Sequence, residues 1–147
     1  MIEFHYEIDF KIDKEPEYGS WVSNICTSEN FEVGNLSFIF CTDDYLLELN
    51  KKYLNHDTYT DIISFDYSEG LAIAGDIFIS VERVRENAKL YDTRFLEELR
   101  RVMAHGVLHL MGYKDKAKND IGIMRMKELE KMKLFHVEHG MKNDMEA

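Results

Sequence analysis

The ten residues VMAHGVLHLM are apolar on nearly every side, which describes a helix enclosed by the core rather than one lying on a surface. His105 and His109 nevertheless stand inside it. Four residues apart, their imidazoles share one face of the helix, one turn from each other. Imidazoles buried without partners are costly. A bare pair of this kind more often marks two satisfied core histidines, but the apolar surroundings favour a single shared partner. Any fold this chain adopts has to bury the helix and supply that partner.

The residues that follow suggest what the partner is. Gly112 permits the left-handed turn that ends a helix, so the chain can double back and bring Asp115 beside the two rings. His, His, Gly and Asp at relative positions 0, 4, 7 and 10 have the spacing of metzincin zinc sites, with Asp115 in place of a third histidine. Two imidazoles and one carboxylate suit a divalent metal, zinc above all, and three protein ligands leave a fourth tetrahedral position open. That is the arrangement of a catalytic site. Zincin peptidases place a glutamate general base directly after the first histidine; here that position is Gly106. Losing such a base commonly costs about 10²- to 10⁴-fold in rate, so peptide hydrolysis is disfavoured.

The rest of the chain predicts the scaffold. Ile2, Phe4, Tyr6, Ile8, Phe10 and Ile12 alternate with mainly polar residues, the period-two signature of a strand. After Pro16, the residues Tyr18, Trp21, Val22 and Ile25 recur at helical spacing, and Leu36, Phe38 and Phe40 alternate again. Thr42 is placed to cap a helix that begins with Asp43 and Asp44 and runs to about Tyr53. The runs DIISFDY and LAIAGDIFIS flank a turn at Ser68, Glu69 and Gly70. Helices are expected over about 81–90, from after Thr93 to Gly112, and over about 120–135, and residues 140–147 are expected to fray. This order predicts an α+β protein, a mixed β-sheet of about four strands packed with a cluster of helices, with the metal site on a central helix. At 147 residues the chain reads as one domain, 1–147.

Composition narrows the partners. The N-terminus has no basic leader followed by an apolar run, and no stretch is apolar enough to span a bilayer, so a cytoplasmic location without membrane contact is expected. Cys26 and Cys41 suit free thiols better than a disulfide scaffold or a zinc knuckle. No organic cofactor is indicated. The net charge of −10 opposes general attraction to nucleic acid, but its distribution is uneven. Residues 1–82 hold 4 Lys/Arg against 17 Asp/Glu, whereas residues 83–118 hold 9 against 5. The only basic stretch therefore contains the candidate ligands, although a solvated helix face would look the same. Phosphodiester cleavage fits this setting, because a metal and nearby cations stabilise a phosphoryl transition state without the missing glutamate. Arg101, one turn before His105, and Lys114, beside Asp115, can each reach a phosphate; for Arg101 a salt bridge to Glu97 or Glu98 is an equal alternative. Asp76 can bind a turn backbone or orient a ligating imidazole, and His136 with His139 read as solvated helix-end residues.

The segment HGVLHLMGYKD resembles the signature HGxLHLxGYDH of the YbeY family of bacterial endoribonucleases. Upstream, NKKYLNHDTYTDIISF is similar to that family's N-x-x-Y-R-x-K-D-x-P-T-D-V-L-S-F segment, and AGDIFIS to its GDI strand. The resemblance covers most of the chain after Leu46. It implies a zincin-like fold, a zinc ion, and single-strand RNA cleavage in the cytoplasm, serving 16S ribosomal RNA 3′-end maturation and ribosome quality control. His105 and His109 match the family's first two metal ligands, and Asp115 stands where the family has a third histidine. Leu54 occupies the position of the arginine to which the family's catalysis is attributed, His56 that of a lysine, and Arg101 that of another histidine. His56 or Arg101 is therefore expected to replace part of the missing charge. The alternative is a ribosome-assembly or RNA-binding factor whose metal is mainly structural.

Overall fold

The computed structural model describes the backbone of residues 1–146 and the side chains of residues 1–135. Elements follow in the order β1 (Ile2–Tyr6), α1 (Glu15–Ser28), β2 (Glu32–Cys41), α2 (Asp43–Tyr53), β3 (Ile62–Asp66), β4 (Ala72–Ser80), α3 (Val81–Leu90), α4 (Phe95–Leu110) and α5 (Lys118–Glu146). The strands form one sheet in the order β1-β2-β4-β3. β1 and β4 both run parallel to β2, and β3 pairs antiparallel with β4. This is the expected α+β arrangement with a mixed four-stranded sheet.

The central strands are apolar on both faces because both are covered. Leu36, Phe38 and Phe40 of β2 and Ile73, Ile77 and Ile79 of β4 enter the main core, onto which α1 lays Trp21, Val22 and Ile25 and α4 lays Leu99, Val102, Met103 and Val107. On the opposite face Leu46 of α2 packs over Cys41 and Ile63, with Leu49, Phe65 and Phe78 around them. α4 touches β3, β4 and the helices α1, α3 and α5, which is why its sequence is apolar almost all round.

Local chemistry sets the boundaries. The Thr42 hydroxyl accepts from the Tyr45 amide at 3.1 Å, and Asp43 and Asp44 lie in the first turn of α2 as expected. Ser80 caps α3 by accepting from the Arg83 amide at 3.0 Å and donates to Asp43 at 2.7 Å, tying the starts of both helices to the end of β4. β1 stops at Tyr6, earlier than the alternation to Ile12 predicts. Tyr6 pairs with Phe40, near the end of β2, so residues 8–12 run out of ladder. Ile8, Phe10 and Ile12 still pack on the core. α5 begins at Lys118 and extends past the expected end near Phe135 to Glu146. The side chains of His136 and His139, and those of the tail from 140, lie outside the described residues. No helix among the described residues is long and apolar enough to cross a membrane.

Candidate metal centre and substrate groove

α4 ends where the sequence places its end. The amides of Gly112 and Tyr113 fold back onto the carbonyls of His109 and Leu108 at 3.0 and 3.1 Å, and Gly112 sits at φ 104°, a conformation that costs glycine little and other residues much more. The returning chain is pinned from the far side. Tyr113 donates its hydroxyl to Glu29 at 2.5 Å, and Glu29 also accepts from Lys127 at 3.0 Å and Lys131 at 2.6 Å. Asp115 is thereby carried back over the last turn of α4.

The three candidate ligands converge. Asp115 Oδ2 lies 3.2 Å from His105 Nε2 and 3.3 Å from His109 Nε2, and one donor atom from each residue lies within 4.8 Å of the others. A tetrahedral zinc ion with ligand bonds of about 2.0–2.1 Å separates its donors by about 3.3–3.4 Å. The two measured edges agree with that spacing, so the donor set can hold such an ion.

Behind this cluster stands a group that sequence reasoning missed. Glu128 Oε2 lies 2.6 Å from His105 Nδ1. An ionised carboxylate only accepts, so Nδ1 carries the ring proton and Nε2 keeps its lone pair for the centre. Glu128 is 2% exposed. Burial alone would raise its pKa, but the hydrogen bond from His105 and the nearby Arg101 charge outweigh that and hold it below the ordinary carboxylate value. A signal was present in the sequence: Met124, Glu128, Lys131 and Phe135 recur at helical spacing, and all four are buried. Two charged residues on an apolar stripe imply fixed partners. Asp76, the other candidate for orienting an imidazole, lies mid-strand in β4 opposite Ser37 and Phe65.

The cluster opens onto a cavity of about 710 Å³ lined by residues of α2, the following loop, β3 and α4. His56, Arg101, His105, His109 and Asp115 all reach it. Lys114 is exposed and outside the lining, where Lys116 is present instead. Arg101 is committed to carboxylates. Its guanidinium forks onto Glu98 at 2.9 and 2.8 Å and reaches Glu128 at 3.0 Å, so the salt-bridge alternative is the one observed. Asp61 also lines the cavity; burial raises its pKa, offset in part by the charge of Arg101. Leu54 contributes an apolar wall. The loop carrying Leu54 and His56 is held by Asn50, whose carbonyl accepts from both of their amides at 3.1 Å and whose side chain donates to the Thr58 carbonyl at 2.8 Å.

Gly106 faces away from this chemistry. A Cβ there would meet Ile62 Cδ1 at 2.9 Å and Ile77 Cγ2 at 3.0 Å, so this side of α4 lies against the sheet. Any side chain at 106 would require Ile62 and Ile77 to shift, a steric cost that a peptidase-type glutamate at this position would have to meet.

The family model for endoribonuclease YbeY matches residues 4–136. The chain belongs to the YbeY family. A YbeY endoribonuclease of Flavobacterium psychrophilum is 61% identical over 95% of this chain and 100% of its own length. YbeY proteins of Flavobacterium johnsoniae and Christiangramia forsetii are 54% and 53% identical, covering 94% and 93% of this chain and 99% and 96% of theirs. Among solved structures, a Thermotoga maritima protein determined in solution superposes with a TM-score of 0.65 at 25% identity, covering 94% of this chain and 91% of that one. The YbeY resemblance read from the three motifs thus extends to the whole fold.

Proposed function

We propose that this protein is a metal-dependent, single-strand-specific endoribonuclease acting in the cytoplasm on 16S ribosomal RNA, in 3′-end maturation and ribosome quality control. Membership of an endoribonuclease family supports the reaction class. The observation that carries the mechanism is the convergence of His105, His109 and Asp115 on one point in the wall of an open groove. These three residues hold the ion, zinc being the metal that suits two imidazoles and a carboxylate. What the ion contributes when bound is Lewis acidity toward a phosphoryl oxygen and a lowered pKa of water.

The remaining work belongs to the chain. Glu128 keeps His105 in one tautomer and orientation. Lys116, on the groove lining, supplies a cationic contact to phosphate and His56, also on the lining, a ring N–H donor, while the exposed Lys114, next to Asp115, adds a further cation. The net negative charge of the molecule confines RNA attraction to this region. The test compares metal-replete protein with His109→Ala on single-stranded RNA. Cleavage by the parent and its loss in the variant is expected; equal cleavage by both would refute the nuclease reading.

One observation favours a second reading, a ribosome-assembly or RNA-binding factor with weak catalysis: Leu54, 43% exposed at the groove, can contact a base or ribose but cannot hold a phosphate. Leu54→Arg separates the two readings. A large gain in turnover with little change in RNA affinity would identify the natural protein as mainly a binder.

A further inference from the structure

We infer that Arg101 is a positioning residue that acts on the metal centre through Glu128 rather than by holding substrate. The inference rests on the reading of His105 as a metal ligand. Three residues form an unbroken chain of short contacts: Arg101 Nη1 to Glu128 Oε1 at 3.0 Å, and Glu128 Oε2 to His105 Nδ1 at 2.6 Å. Each oxygen of the Glu128 carboxylate is thus used once, by Arg101 on one side and His105 on the other. Arg101 is itself immobilised by the two-bond fork onto Glu98, and Glu98 and Glu128 are each 2% exposed. A planar guanidinium with fixed donors suits this bridging role, whereas a lysine would have to choose between partners.

The physical consequence is an orientation effect. A carboxylate behind a ligating imidazole fixes the ring and strengthens its donor nitrogen, and removing such a partner commonly costs about 10- to 100-fold in metal affinity. Glu128 comes from α5 and His105 from α4, so the carboxylate is held against the ring across a helix interface. Arg101, one turn before His105 on α4, closes the triangle. Without it, Glu128 would lose the neutralising charge that lets an anion stay buried there and would be free to turn from the ring. A phosphate-binding arginine would instead present its donors to the groove, and here three of the five N–H groups already point at carboxylates.

The experiment is a double-mutant cycle on zinc affinity, using full-length Arg101→Gln, Glu128→Gln and the double variant. Affinity is read by competition with a chromophoric chelator, with cobalt(II) substitution reporting ligand geometry from its visible spectrum. Ile25→Val is a control that loosens the core of α1 without touching the site. The relay predicts that each single variant weakens zinc about 10- to 100-fold and alters the cobalt spectrum. The double variant should be little weaker than Glu128→Gln, and Ile25→Val should bind like the parent. If Arg101→Gln does not fold, Arg101→Lys replaces it, with the same predicted direction and a smaller loss. Unchanged zinc affinity in the Arg101 variant, with a raised KM for RNA, would overturn the inference in favour of a substrate clamp. Losses that simply multiply in the double variant would also overturn it. Failure of the parent to bind zinc or cobalt would overturn the metal-centre reading itself, so the two failures are distinguishable.

Discussion

Gly106 shows how one residue can close off a chemistry. Its hydrogen faces the side chains of Ile62 and Ile77 across a gap too narrow for a methyl group, so the position serves packing of α4 on the sheet. Gly106→Ala would gain helix propensity, about 1 kcal/mol. Forcing two isoleucines to move in a full core costs about 1–3 kcal/mol. We expect the variant to be destabilised by up to about 2 kcal/mol, measured by urea unfolding of the metal-free protein. A variant as stable as the parent would show that α4 has slack against the sheet. The spacing of His105, His109, Gly112 and Asp115 was legible at this scale, since a helix and one turn determine it. Glu128 and the engagement of Arg101 were not, because the first lies 23 residues beyond His105 and becomes adjacent only through helix packing.

Between elements, the anchor of the ligand loop is electrostatic. Glu29, at the end of α1, receives Tyr113 from the loop and Lys127 and Lys131 from α5, and Lys131 is completely buried. Burial pushes the Glu29 pKa up, but the hydrogen bonds from Lys131, Tyr113 and Lys127 prevail and bring it down from 4.5 to about 2. Because the folded value lies below the unfolded one, the stabilisation is present above pH 4.5 and is lost as pH falls toward 2. Partial solvent access reduces the effect to about 2 kcal/mol. Urea unfolding of the parent between pH 5 and pH 2 should show this loss, and Glu29→Gln should be less stable at pH 5 with a flatter acid limb. Parallel pH curves for the two proteins would remove Glu29 from the account. The strands, the Thr42 cap and the helix starts were legible in sequence because they depend on neighbours a few residues away. The early end of β1 was not, since it depends on where β2 stops.

For the whole molecule, the candidate centre joins segments that hold one another in place. His105 and His109 come from α4, Asp115 from the loop after it, and α5 backs the site through Glu128. A bound ion therefore cross-links parts of the fold, and its binding energy adds to stability. At a free zinc concentration one hundred times the Kd, the gain is about 2.7 kcal/mol, which for a domain of this size raises Tm by about 5–10 °C. Chelation should lower Tm by that amount and one equivalent of zinc should restore it, followed by circular dichroism. An unchanged Tm after verified removal of zinc would mean that zinc does not bind the folded centre in preference to the unfolded chain. The sequence by itself determined the order of elements, the cap that starts α2, the glycine turn that ends α4 and the three donors at their spacing, because periodicity and turn chemistry act over a few residues. Only the tertiary structure decided that Gly106 faces the sheet, that Arg101 is held by Glu98 and Glu128, and that Lys116 rather than Lys114 lines the groove. Those outcomes depend on how distant surfaces meet, and a buried charge takes whichever partner packing brings within hydrogen-bond reach.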